Sequence, residues 1–159
     1  MTHKSVLLDT SFFLRFLNEA DPLFKNADGY YRYFLQNGHS LIISTISVAE
    51  YCVGGNIDEL PLKTLQILPF NFNHGVKAGA LARTVFENKN KLQLQNRNII
   101  PNDTKLFSQA DVETEIGFYL SSDVESKKIY DLLVKDSSIR FQFLNLYTPH
   151  SEAFGVLDF

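Results

Sequence analysis

Four carboxylates stand where apolar runs give way to helical patterns. Asp9 follows the run at 4–8, and Glu50 lies one turn into the helix after 41–45. Asp103 opens a helix beginning near Asn102, and Asp123 follows the run at 116–121. In an open parallel α/β sheet, ligands bind beyond the carboxyl ends of the strands. Acids at those junctions can converge on one edge. A carboxylate cluster without histidine or cysteine suits a hard, oxygen-seeking cation, Mg²⁺ or Mn²⁺. Like charges held close are costly alone, and a cation stabilises them together. Each acid also has a structural reading. Asp9 can cap a helix starting near Ser11. Ser47-Val48-Ala49-Glu50 reads as a capping box, with Glu50 reaching back to the Ser47 amide. Asp103 suits a helix N-terminus through the dipole, with Asn102 as cap. Asp123 can be the N-cap of a helix over 124–135.

The elements that must position these acids alternate in type. Strand-like runs are expected at 4–8, 41–45, 65–72, 116–121 and 140–146. Between them, helical spacing of apolar residues predicts helices over 12–17, 27–36, 47–53, 76–92, 102–115 and 124–135. Asp21-Pro22, Asn37-Gly38 and Gly54-Gly55 punctuate the pattern. The segment 88–98, rich in Asn, Gln, Lys and Arg, reads as a helix end running into an exposed loop. Strands separated by helices imply βαβ units. The expected fold class is α/β, a three-layer sandwich with a central, mostly parallel sheet flanked by helices. One domain over 1–159 is expected, since no linker divides the chain.

Composition narrows the function classes. The 159 residues are 45% hydrophobic and 21% charged, too apolar for a disordered chain. A lone cysteine, Cys52, excludes an internal disulfide and thiolate zinc frameworks; on its apolar helix it reads as a small buried residue. His3, His39, His74 and His150 lack metal-ligand spacing and read as exposed loop residues. Nucleophile elbow, P-loop and GxGxxG signatures are missing. No apolar run approaches a membrane span, and Asp9 and Arg15 break the signal-like start. A soluble, cytoplasmic protein is expected. Net charge is −3, so nucleic-acid contact must come from a local patch or through metal ions.

At four segments the sequence resembles the PIN-domain nucleases, and especially the VapC-type toxins of toxin–antitoxin pairs. Val6-Leu7-Leu8-Asp9-Thr10-Ser11 looks like their opening strand, acid and hydroxyl pair. Ser44-Thr45-Ile46-Ser47-Val48-Ala49-Glu50 looks like the second motif. Asn102-Asp103-Thr104-Lys105-Leu106 is similar to the third, and Leu120-Ser121-Ser122-Asp123 to the fourth. Order and spacing fit across nearly the whole chain. Ser121 stands where Thr is commoner, which preserves a hydroxyl, and 84–101 is longer than in compact members.

The resemblance implies a metal-dependent ribonuclease, a toxin of a type II toxin–antitoxin pair. Asp9, Glu50, Asp103 and Asp123 would hold one or two Mg²⁺ or Mn²⁺ ions. Ser11 and Ser121 would orient a carboxylate or a bound water, or serve only as cap and turn hydroxyls. The implied products carry 5′-phosphate and 3′-hydroxyl ends. An antitoxin protein and a homodimer are implied as partners, with Phe12, Phe13 and Phe16 either lining a groove for the antitoxin or filling the core. Lys89, Lys91, Arg97 and Lys105 lie in the most basic stretch, 77–105, and are candidate RNA contacts or a solvated face. Tyr30, Tyr31 and Tyr33 either stack bases or pack. Asp111, two turns past Asp103, either faces the same cleft or is solvated. Two alternatives remain: a catalytically degenerate PIN-like module that binds RNA or protein, and a dehalogenase-type phosphatase, which needs an acid where Ser11 stands.

Overall fold

The structure is a computed structural model; it describes residues 4–88, 100–136 and 139–156, with backbone alone at 100 and 101. Five strands form one sheet: β1 Ser5–Leu8, β2 Leu41–Ser44, β3 Leu65–Leu68, β4 Ile116–Ser121 and β5 Gln142–Asn145. Every pairing is parallel, in the order β3-β2-β1-β4-β5. The helices are α1 Thr10–Phe16, α2 Phe24–Gln36, α3 Thr45–Tyr51, α4 Phe72–Glu87, α5 Ile100–Val112, α6 Val124–Asp136 and α7 His150–Ala153. Two 3-10 turns, Ile57–Glu59 and Leu62–Thr64, lead into β3. This is the expected three-layer α/β sandwich. No helix among the described residues is long and apolar enough to cross a membrane.

Side-chain alternation explains the layers. Val6, Leu8, Leu41, Ile43 and Leu120 face one way, onto Phe12 and Phe13 of α1 and Tyr30 and Phe34 of α2. Leu7, Ile42 and Tyr119 face the other way, onto Leu81 and Val85 of α4, Leu106 and Phe107 of α5, and Ile129 and Leu133 of α6. A strand buried on both faces reads as an unbroken apolar run, as β1 and β2 do. Phe12 and Phe13 are thus core residues, not groove lining, and Phe16 is partly buried against the same cluster. The tyrosines pack too. Tyr30 is buried and its hydroxyl donates to the Thr148 carbonyl, Tyr31 pairs with Thr64, and Tyr33 stacks on Phe154.

One irregularity lies at the start of β4. Ser5 pairs with Ile116 but Val6 pairs with Phe118, so Gly117 is an extra residue on that strand. A Cβ at Gly117 would lie 2.2 Å from Lys4 Cδ, which accounts for a glycine at this bulge. Beyond it the register is regular through Leu8↔Leu120, and the Asp9 amide continues the ladder to the Leu120 carbonyl.

Several local expectations are corrected. α3 begins at Thr45, not Ser47, because the Ser44 side chain accepts the Ile46 amide and caps the helix. Ser47 is therefore inside the helix, buried, and the expected capping box with Glu50 is not formed. α4 begins at Phe72, a turn before the expected start. Its cap is reciprocal: the Asn71 side chain accepts the His74 amide, and His74 Nδ1 accepts the Asn71 amide. Nε2 of His74 then carries the proton and donates to Glu113 at 2.7 Å. His74 is fully buried, not an exposed loop residue. Cys52 is exposed, because it sits at the C-cap of α3 and not within its packed face. The C-cap of α4 is Asn88, and the expected continuation over 89–92 lies outside the described residues.

Asp111 neither faces the acidic cleft nor points freely into solvent. It pairs with Lys77 at 3.2 Å and accepts the Arg140 amide at 2.9 Å. The Arg140 guanidinium in turn donates to the carbonyls of Ala110, Asp111 and Glu113 at the end of α5. A helix C-terminus leaves such carbonyls without partners, and a cation there also suits the dipole. Arg140→Ala should lower stability by about 1 kcal/mol in urea unfolding, chiefly by leaving the part-buried Ala110 carbonyl unpaired. An unchanged midpoint would show that water replaces the guanidinium at no cost.

Candidate active site

The strand order reverses direction on either side of β1, so the carboxyl ends of β1, β2 and β4 mark a topological switch point. There the connections diverge and leave a crevice. A cleft of about 260 Å³ lies there, lined by Asp9, Thr10, Ser11, Leu14, Glu50, Asn102, Asp103, Leu106 and Asp123. All four expected acids are on its wall, each delivered by a different element. Asp9 follows β1, Glu50 lies in α3, Asp103 in the first turn of α5, and Asp123 just before α6.

Hydroxyls arrange the carboxylates. Oδ2 of Asp9 accepts the Ser11 hydroxyl at 2.7 Å and the Ser121 hydroxyl at 2.8 Å. Those two oxygens accept the amides of Ser122 and Asp123, each at 3.0 Å. Each hydroxyl has one proton, and both protons point to Asp9. The 3.2 Å approach of Ser11 to Ser121 therefore carries no proton of its own. This pattern accepts an ionised Asp9 and would lose a donor if Oδ2 were protonated. Asp9 occupies the N-cap position of α1, yet its side chain makes no cap bond. Asp123 does cap: its Oδ1 accepts the amides of Glu125 and Ser126 at 2.8 and 3.3 Å. Thr10 donates to Glu50 Oε1 at 3.1 Å, and Ser126 donates to Asp103 Oδ1 at 2.6 Å. Oδ2 of Asp103 is buried with no hydrogen-bond partner.

Burial and proximity act on the acids together. Burial is the main cause pushing the Asp103 carboxyl up to about 8, and the charges of Asp9, Asp123 and Glu50 add to it against the Ser126 hydrogen bond. Asp9 is raised by burial, against its two serine donors, with Asp123 adding repulsion. Glu50 is raised by burial and then by Asp9. The fully buried Tyr119 phenol is pushed up by burial and by the nearby Asp9 and Asp103 charges.

Among the described residues, no three His, Cys, Asp or Glu side chains already stand together as a ligand set for a cation. The donors nonetheless suit a hard cation. They are carboxylate oxygens on one cleft, and the Asp103 Oδ2 lacks any donor. A buried, unpaired carboxylate oxygen is costly, and a cation relieves that cost.

Of the basic candidates, Lys89, Lys91 and Arg97 lie outside the described residues. Lys105 is half-buried on α5 and does not line the cleft. Thr10, Asn102, Ser126 and Tyr119 lie near the acids without having been expected as site residues; Asn102, expected as the cap of α5, is inside that helix because it starts at Ile100. Thr10 and Asn102 adjoin acids in the chain, a usable signal; Ser126 and Tyr119 are fully buried behind the cleft wall and meet Asp103 and Asp9 only through tertiary packing. Ser121→Ala removes a charge-assisted bond to Asp9 and leaves the Asp123 amide without its acceptor. Thermal unfolding at pH 7 should show a loss of about 1–3 kcal/mol, with Ser121→Thr retaining most of the stability. A neutral Ser121→Ala would mean that Ser11 alone holds Asp9.

Neither the protein-family models nor the curated proteins include a match to this sequence. Solved structures do resemble it. One is VapBC2 from Rickettsia felis, bound to a DNA fragment from the promoter. That chain is 19% identical, with 88% of this chain and 97% of that one covered at a TM-score of 0.55. Another is the DNA-bound VapBC from Salmonella typhimurium. It is 12% identical, with 90% and 98% covered at a TM-score of 0.53. The protein therefore has the PIN-like α/β fold that its motifs led us to expect. The particular likeness is to chains of VapBC complexes, and at these identities it is a likeness of fold.

Proposed function

We propose that the protein is a metal-dependent endoribonuclease that hydrolyses RNA phosphodiesters, acting as the toxin of a type II toxin–antitoxin pair. One observation carries this reading: four carboxylates from four separate junctions share one cleft at the switch point of the sheet. Asp9, Glu50, Asp103 and Asp123 would hold Mg²⁺ or Mn²⁺. A bound cation would supply Lewis-acid activation of water and neutralise charge gathering on the phosphate.

The chain's own residues do the rest. Ser11 and Ser121 fix the Asp9 carboxylate, Thr10 fixes Glu50, and Ser126 fixes Asp103. Leu14 and Leu106 add apolar surface to the cleft wall. The similar structures are VapBC complexes, which supports an antitoxin chain as partner. A homodimer and a cytoplasmic location belong to the same reading.

The alternative is a degenerate module that binds RNA or protein without cutting. It is favoured by one observation: the described acids do not yet converge as a ligand set. Incubation with structured and single-stranded RNA in Mn²⁺ or Mg²⁺, beside an EDTA control, separates the two. Cleavage that EDTA abolishes is expected. A folded protein that binds neither Mn²⁺ nor RNA and cuts nothing would overturn the nuclease; RNA binding without cleavage or metal binding would select the module.

A further inference from the structure

The acidic cleft does not end at the acids. A second hollow of about 500 Å³ opens beside it, and the two share Ser11, Leu14 and Asp123 on their walls. The shared residues make it one continuous groove, of a size that accommodates a small ligand fragment such as a nucleotide. Its outer part is lined by Arg15, Asp21 and Val124 as well. Among the described residues lining the two hollows, Arg15 is the sole cation.

That charge distribution poses a problem for an RNA chain. Four carboxylates repel every phosphate except one placed against bound cations. A neighbouring phosphate needs a positive group within the same groove. Arg15 is placed to be that group. It lies in the last turn of α1, so the helix that begins at the acids carries the cation away from them. Its Nη1 is held by Asp21 Oδ2 at 2.9 Å, and its side chain remains one-third exposed. Asp21 is itself fixed, since its Oδ1 accepts the Leu23 amide at 2.8 Å. A guanidinium anchored through one nitrogen keeps further donors for a phosphate. Leu14 and Val124, each 58% exposed, present apolar surface on the same walls, where a base or ribose face can rest.

Resting on the nuclease reading, we propose that Arg15 and the hollow bounded by Leu14, Asp21 and Val124 form a subsite for the nucleotide next to the cleaved bond. Arg15 contacts that nucleotide's phosphate, and Asp21 holds the guanidinium in place. Arg15 is a binding residue here, outside the bond-breaking step. An ordinary structural role, an ion pair that closes the turn between α1 and α2, makes different predictions.

The test measures anisotropy of a short fluorescein-labelled single-stranded RNA of mixed sequence, and cleavage of the same RNA in Mn²⁺. Wild type is set beside Arg15→Gln, Arg15→Lys and Asp21→Asn, with a thermal melt of each. Arg15→Gln should weaken binding about tenfold and lower the salt slope by about 0.7, the loss of one single-strand phosphate contact. In cleavage it should raise KM by a similar factor and leave kcat within about twofold. Arg15→Lys should recover part of the affinity. Asp21→Asn removes the charge of that pair but keeps a side-chain oxygen that can accept from Arg15 Nη1, so the cation stays in place and RNA should bind at least as tightly as to wild type. Equal weakening by Arg15→Gln and Asp21→Asn would reduce Arg15 to a structural tie and overturn the subsite. So would Arg15→Gln with unchanged affinity and KM. Binding without cleavage by wild type, still weakened by Arg15→Gln, would sustain Arg15 as a phosphate contact in this groove while the nuclease reading fell. An RNA that wild type does not bind at all would remove both.

Discussion

Asp103→Asn should lose at least about a hundredfold in Mn²⁺-dependent RNA cleavage while melting at a higher temperature than wild type. The two signs have one origin. Oδ1 of Asp103 accepts the Ser126 hydroxyl, and an asparagine oxygen can keep that bond. Oδ2 is buried without a partner, and the Asp9, Glu50 and Asp123 charges oppose its ionisation. An amide carries no charge at any pH, so it removes the repulsion that an ionised Asp103 meets as pH rises through about 8. The same change deletes one of the four anionic ligands proposed to hold the cation, and the loss of a charged group acting at a transition state typically costs 10²–10³. Stability gained where function is lost is the usual mark of a residue retained for its chemistry. The comparison needs kcat/KM and a thermal melt on the same preparations. A variant that cuts as fast as wild type would remove Asp103 from the site. A variant that is inactive but less stable would leave only a structural role.

Metal-free protein should become less stable as pH rises from about 6.5 to 8.5. Asp103 has an ordinary value of 3.8 and is pushed up to about 8 in the fold. Between those values the folded chain holds a proton that the unfolded chain has released. The favourable contribution is complete below 3.8 and is lost as pH rises through about 8. Asp9 and Glu50, also raised chiefly by burial, act in the same direction. Asp21 is lowered, chiefly by the Leu23 amide, and acts in the opposite direction, but only at acid pH outside this window. One proton changes stability by at most about 1.4 kcal/mol per pH unit. Over the window the loss is about 1–2 kcal/mol, which in a domain of this size is roughly 2–8 °C in Tm. Mn²⁺ binds the folded chain and its deprotonated ligands, so it should restore the melting temperature, and more at pH 8.5 than at pH 6.5. Asp103→Asn should flatten the pH profile. Calorimetry in EDTA across the range checks all three. A wild-type Tm that rises with pH would mean that Asp103 is ionised throughout.

The acids were legible because they occupy junctions, where a short apolar run changes to helical spacing. β4 was legible to the residue, since Glu113-Thr114-Glu115 before it and Ser122-Asp123 after it bound the apolar run Ile116–Ser121. The start of α3 was not, because Ser44 and Ser47 both offer a hydroxyl, and only the Ser44 side chain is placed to meet an amide. At α4 the apolar stripe begins after the true start. Its first turn is fixed by Asn71 and His74, and a histidine acting as the reciprocal capping partner leaves no hydrophobic trace. Ser126, Tyr119 and the Arg15–Asp21 pair meet the site only through the folded chain, across separations that carry no pattern. Burial of His74 follows from its partner Glu113, 39 residues away.

The bulge at Gly117 separates two jobs that β4 performs. Upstream of it, the strand meets Lys4 and Ser5 at the entry edge of the sheet; downstream, Phe118 to Leu120 meet Val6 to Leu8 and deliver Ser121 to Asp9. Since strand side chains alternate with a period of two, a one-residue slip downstream would send Ser121 to the opposite face. The glycine acts as a slack coupling. Changes of length or sequence in the chain leading into β4 can be absorbed at residue 117, leaving the phase of the strand at the acids untouched. The entry end of the sheet is thus uncoupled from the end that carries the acids.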